Sequence, residues 1–205
     1  MTLYRLAAPL LAVPFLLGTT ASAWAHAFQS GADFYEQFQE GGSVILTYPS
    51  VLLPLVAAGF LAGLWHTDGM ARTFPAFLGG VLLGIPLASF VGPVVGVLLI
   101  VLGMATASLA ALLTRHHPIE CLTLGFATGL LAIMVSLEGH GLFELPFFIH
   151  LGIVLLSIVV FVASANLARL SIDRFQHPFV AIGFRVAASW IAAVLLLILA
   201  FQFRG

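Results

Sequence analysis

The chain has 205 residues, of which 61% are apolar and only 7% charged, with a mean hydropathy of +1.16. Soluble chains carry roughly a quarter of their residues as Asp, Glu, Lys or Arg; a water-soluble globular domain is therefore excluded, and the unit to count is the apolar span of ~20 residues. A net charge of −1 with seven arginines and no lysine leaves no basic surface for nucleic acid, and the single cysteine, Cys121, forms neither an intrachain disulfide nor a Cys-rich metal site.

The first element reads as a secretory signal. Arg5 precedes an apolar stretch from Leu6 to Leu17, and Ala23-Trp24-Ala25 places small residues where a signal peptidase cuts. Residues 1–25 are the expected signal peptide and His26 the expected mature N-terminus, outside the cytoplasm; the alternative is an uncleaved first anchor helix. An N-terminal histidine joins an imidazole to a free α-amine, a pair suited to copper, nickel or zinc. Residues 26–46 follow as an extracytoplasmic amphipathic segment. A helix there groups Asp33, Glu36 and Glu40 on one face and Phe34, Tyr35 and Phe38 on the other. Such a helix sets aromatics in the headgroup layer and carboxylates toward water, where a single-sign surface gathers cations.

Six apolar segments make up the remaining domain, residues 47–205: 49–65, 75–91, 93–113, 118–138, 145–168 and 178–202. Each opens at or next to a proline (Pro49, Pro75, Pro93, Pro118, Pro146, Pro178), which suits a first helical turn because its φ is already helical and its missing N–H has no partner there. Pro54 and Pro86 fall inside segments and predict kinks. With the mature N-terminus outside, Arg72, Arg115, Arg169, Arg174 and Arg185 all fall in the cytoplasm and only Arg204 outside, which favours six spans and places both termini outside. Pairs such as Gly59/Gly63, Gly80/Gly84, Gly92/Gly96 and Gly125/Gly129 have the spacing that lets membrane helices pack closely. The expected fold is an all-α integral membrane bundle of six transmembrane helices after a cleaved signal peptide.

Ionisable residues near apolar spans are costly and mark functional candidates. The densest group runs from Glu138 through His140 and Glu144 to His150, the outer turn between the fourth and fifth spans, with Gly139 and Gly141 allowing a tight turn. At 1.5 Å per residue His150 falls about 8 Å into the fifth helix. Nitrogen and oxygen donors without thiolate suit nickel, cobalt, zinc or manganese, so Glu138, His140, Glu144 and His150 are read as metal ligands. On the cytoplasmic side His66 and Asp68 are candidates to receive the released ion, while His116, His117 and His177 are read as solvated loop ends. No Gly-x-Ser-x-Gly, His-Glu-x-x-His or phosphate-loop motif occurs, so no enzyme and no resident cofactor is expected.

The run Ala58-Gly-Phe-Leu-Ala-Gly-Leu-Trp-His66 and the run Glu138-Gly-His140-Gly-Leu-Phe-Glu144-Leu-Pro146 with His150 resemble two segments of the HupE/UreJ family. The first leads toward that family's His-Pro-x-x-Gly-x-Asp-His motif and the second resembles its later His-Gly-rich segment. Here Thr67 replaces the motif's proline, Asp68 comes early, and Arg72 stands near its second histidine, so His66 and Asp68 alone carry over. The resemblance implies nickel supply to metalloenzyme maturation. The expected function is therefore a permease or accessory protein for nickel, with the lipid bilayer, the metal ion and a membrane or metallochaperone partner as its contacts. The alternatives are a non-transporting membrane subunit and an extracytoplasmic copper handler acting through His26.

Overall fold

The computed structural model describes residues 33–90, 92, 94–113, 117–140 and 144–203; the expected signal segment, His26, Pro93, Arg115 and His116 lie outside them. These residues form seven α-helices and no strand: α1 (Phe34–Thr47), α2 (Pro49–Trp65), α3 (Gly69–Leu87), α4 (Val94–Leu112), α5 (Pro118–Ser136), α6 (Phe147–Phe175) and α7 (Pro178–Gln202), with a 3₁₀ turn, Ala88–Phe90, after α3. Helices α3 to α7 are each long and apolar enough to cross a membrane, and α1 with α2 passes the same test as one broken pair bent by 76°. The chain is an all-α membrane bundle with up to six crossings.

Proline opens α2, α5 and α7, and Pro146 is the N-cap of α6. The second span departs from this pattern, since α3 begins at Gly69 and Pro75 falls inside it. Asp68, Gly69 and the polar first turn join the helix: Arg72 donates its backbone N–H to the Asp68 carbonyl at 3.0 Å, and the two side chains lie 3.8 Å apart. The fifth span is also longer than the hydropathy suggested, because α6 continues past residue 168 to Phe175. Its extra turns are held by the Arg169–Asp173 ion pair one turn apart, with Arg169 Nε donating to Asp173 Oδ2 at 2.8 Å. It stops at Gln176, a left-handed residue (φ 46°) in a place glycine usually takes, followed by Pro178.

Glycine decides which helices touch. Gly59 of α2 faces Phe161, Ser164 and Ala165 of α6, with the Ser164 Cβ 2.6 Å from where a Cβ on Gly59 would stand, and Gly63 faces Ala165 and Ala168. Gly80 of α3 lies against the Phe126 carbonyl of α5, and Gly84 against Leu130 and Ile133. Position numbers rise together in both pairs, so α2 runs parallel to α6 and α3 parallel to α5. A stacked ring pair, Phe77 on Phe161 at 4.2 Å, joins the two pairs in the interior. On the other flank α4 packs against α2 where Gly103 admits the Pro54 ring, and Phe184 of α7 meets Phe60 edge-on at 5.2 Å.

The α2–α6 register shows how far α6 overhangs. Extrapolated one for one from Gly59 and Gly63, Pro49 falls level with about residue 152 and Trp65 with about residue 168. Helix α6, 29 residues and about 44 Å long, therefore projects beyond α2 at both ends. Helix α1 turns away at Tyr48 and packs on the first overhang, where Gly41 meets the Ile149 carbonyl and Gly152 meets the Phe38 carbonyl.

In lipid such contacts rest on close van der Waals fit. Gly80→Ala drives a Cβ into the Phe126 carbonyl and should cost roughly 1 to 3 kcal/mol, whereas Gly183→Ala, with open space around it, should leave stability unchanged or slightly raised. Thermal unfolding of both variants in detergent checks this: equal melting temperatures would contradict the packing described.

Candidate functional site

The bundle has two chemically distinct ends. Five of the eight carboxylates, Asp33, Glu36, Glu40, Glu138 and Glu144, lie at the end formed by α1 and the α5–α6 turn, with His140 and His150. The opposite end carries Arg72, Arg169, Arg174 and Arg185 with His66, His117 and His177.

At the turn end, α5 stops as Ser136 Oγ donates to the Ala132 carbonyl at 2.7 Å. The chain then reverses through Leu137–His140: Glu138 N–H donates to the Val135 carbonyl, His140 N–H to the Leu137 carbonyl, and Gly139 takes φ 81°, which a side chain would strain. Glu138 is half-buried in this turn, and loss of water pushes its carboxyl above the usual carboxylate range. His140 Nδ1 lies 3.2 Å from the Glu138 carbonyl oxygen, and His150 Nδ1 lies 3.3 Å from that of Pro146. A carbonyl oxygen only accepts, so in both contacts Nδ1 is the donor nitrogen. Ligating histidines are commonly oriented by this same arrangement, one ring nitrogen bound to a backbone carbonyl and the other left to the metal.

His150 has the right azimuth and a different depth from the one its distance along the helix suggested. At 3.6 residues per turn it lies within about 20° of Ser157, Phe161 and Ala168, all fully buried, so it stands at the end of the strip of α6 that faces the bundle. The α2 register puts position 150 outward of Pro49, on the overhang beside α1. It sits at the rim, level with the α5–α6 turn, because α6 begins beyond α2.

Two of the three carboxylates assigned to cation gathering do structural work. Asp33 accepts the Glu36 N–H at 2.8 Å while Glu36 accepts the Asp33 N–H at 3.3 Å, a reciprocal cap on α1. Phe34 and Tyr35 are exposed, and Phe34 also meets Phe148 of α6 at 4.8 Å; the backbone of Phe38 lies against Gly152. The buried face of α1 is Gly41, Gly42, Val44 and Ile45.

At the arginine end the imidazoles play the opposite role. Asp68 N–H donates to His66 Nδ1 at 3.1 Å, Ile119 N–H to His117 Nδ1 and Phe179 N–H to His177 Nδ1, both at 3.4 Å. Each Nδ1 accepts, so each neutral ring keeps its proton on Nε2. His117 and His177 are helix caps, and Glu120 completes the first by accepting the His117 N–H at 3.2 Å. The order His-Pro-x before an apolar run, present twice, is the sequence signal for them. Asp68 lies between His66, at 3.9 Å, and Arg72, so His66 and Asp68 are together but already partnered.

Among the described residues no three His, Cys, Asp or Glu side chains come close enough to hold a metal ion. The turn end supplies pre-oriented donors along one rim rather than a closed coordination shell; residues 141–143, in the middle of that turn, are outside the described set. Comparison with protein-family models, curated proteins and solved structures finds no match.

Glu138 gives a pH test. Its carboxyl is raised in the folded state, so stability from its protonated form is present below the ordinary carboxylate range and is lost as pH rises through the raised value. The melting temperature of the wild type should fall with rising pH across that interval relative to Glu138→Gln. Parallel pH profiles would show that Glu138 is not desolvated.

Proposed function

We propose that this integral membrane protein takes up a divalent transition-metal ion, nickel first and cobalt next, at the α5–α6 turn, and moves it across the bilayer or supplies it to metalloenzyme maturation. The reading is supported chiefly by His150, whose Nδ1 faces the Pro146 carbonyl as in many ligating histidines, with His140 on the same rim. Glu138 and Glu144 add oxygen donors on the same rim. Arginines gathered at the opposite end support an orientation with that end in the cytoplasm of a bacterial inner membrane and the turn and both mature termini outside. Resemblance to the HupE/UreJ family names nickel.

A second reading is favoured by one observation. Below His150 the same strip of α6 leads to Phe161, which is fully buried and stacked on Phe77, while Gly59 and Gly63 bring α2 into backbone contact alongside. A closed interior suits a membrane subunit or metallochaperone partner that captures an ion at the rim and hands it on without moving it through the bundle.

Cells expressing the chain should accumulate radiolabelled nickel above vector controls, and His140→Ala with His150→Ala should reduce that by about tenfold or more at unchanged membrane abundance. Equal uptake in the two strains removes transport through these donors; normal nickel binding with no uptake selects the second reading.

A further inference from the structure

Arg185 lies seven residues past Pro178, about 10 Å along α7, within a helix apolar enough to cross a membrane. Its place on the helix wheel is within about 40° of Ala181 and Ala192 and about 60° from the fully buried Ala188, so it faces the bundle, half-buried. Its Nε is buried with no hydrogen-bond acceptor. A guanidinium keeps its proton at any accessible pH, and an unpaired charge in apolar surroundings is expensive.

Among the described residues no carboxylate pairs with it. All eight carboxylates are among the described residues, and five of them are at the far end. Of the three at the arginine end, Asp68 is beside Arg72, Asp173 is bonded to Arg169 through two guanidinium nitrogens, and Glu120 accepts the His117 N–H. The segments outside the described set contain no Asp or Glu.

Space for an external anion lies one turn away. A groove of about 360 Å³ between the end of α6 and the start of α7 is lined by Ile172, Asp173, Gln176, His177, Pro178 and Ala181. Ala181 precedes Arg185 by one turn on the same face, and His177, whose Nδ1 is occupied, offers an Nε2 proton. We infer that Arg185 binds the phosphate oxyanion of a phospholipid in the leaflet at the arginine end, with the headgroup lodged in this groove. A lipid fits better than a soluble anion because the guanidinium stem is rooted in an apolar span. Phe179, Ile182, Val186 and Trp190 of the same helix are also exposed for acyl chains to cover. The inference is independent of the metal reading.

The test uses full-length protein depleted of lipid in a phosphate-free, uncharged detergent, with thermal unfolding as the readout. Short-chain phosphatidylglycerol should raise the wild-type melting temperature by about 5 °C, Arg185→Lys by less, and Arg185→Gln hardly at all. Without lipid, Arg185→Gln should be as stable as the wild type or more so, since it removes an unpaired charge; lower stability would mean a partner inside the protein and would overturn the inference. An equal lipid response in wild type and Arg185→Gln overturns it too. An Arg185-dependent response to inorganic phosphate matching that to the lipid would assign the site to a soluble anion and defeat the lipid assignment.

Discussion

Backbone-to-backbone approach at glycine is the constraint on which the rest of this bundle depends. Lipid is as apolar as a leucine side chain, so helices in it gain nothing from hiding apolar surface and must gain from fit. Gly59 and Gly63 let α2 lie directly on α6, Gly80 and Gly84 let α3 lie on α5, and Gly125 and Gly129 return the contact from α5 toward Thr73 and Phe77. Consecutive in the chain, the end of α5 and the beginning of α6 meet at one face, and these two glycine contacts hold each helix against its parallel partner. The positions of Glu138, His140 and His150 follow from that arrangement.

Histidine is used in two opposite ways at the two ends. Where the ring faces a carbonyl, as in His140 and His150, Nδ1 is the nitrogen that donates to the backbone. Where the ring faces a backbone N–H, as in His66, His117 and His177, the lone pair is spent on the backbone and a proton is turned outward. One end gathers five of the eight carboxylates, the other the guanidinium groups.

Much of the fold is legible in the sequence because it rests on composition and on local rules. The apolar runs, the proline starts of α2, α5 and α7, and the turn at Gly139 all follow from residue chemistry over a few positions. Pro75 misleads because a polar turn rich in Thr, Asp and Arg is helical here, extended back to Gly69 by bonds that hydropathy does not register. The depth of His150 is not legible because it depends on the register between α2 and α6, which glycine contacts far along both helices decide. The Asp33–Glu36 pair is a readable capping pattern that an electrostatic reading of the same residues obscures. Arg185 lies inside a span drawn from hydropathy alone, and its burial emerges only when its neighbours on the helix wheel, Ala188 and Ala192, are seen to pack inward.

The overhang of α6 has a consequence for the bilayer itself. Helix α2, at 17 residues, offers about 25 Å of apolar length, less than the ~30 Å of an average hydrocarbon core, while its immediate neighbour is nearly twice as long. The last turns of α6 carry Arg169, Asp173 and Arg174, so its apolar length, residues 147–168, is about 33 Å and matches the bilayer, and only the flank at the short α2 draws the lipid thinner. Mismatch of this kind costs fractions of a kcal/mol per ångström and sorts proteins among membranes. The chain should therefore reside most comfortably in thin, deformable membrane and carry a permanent local dimple with it.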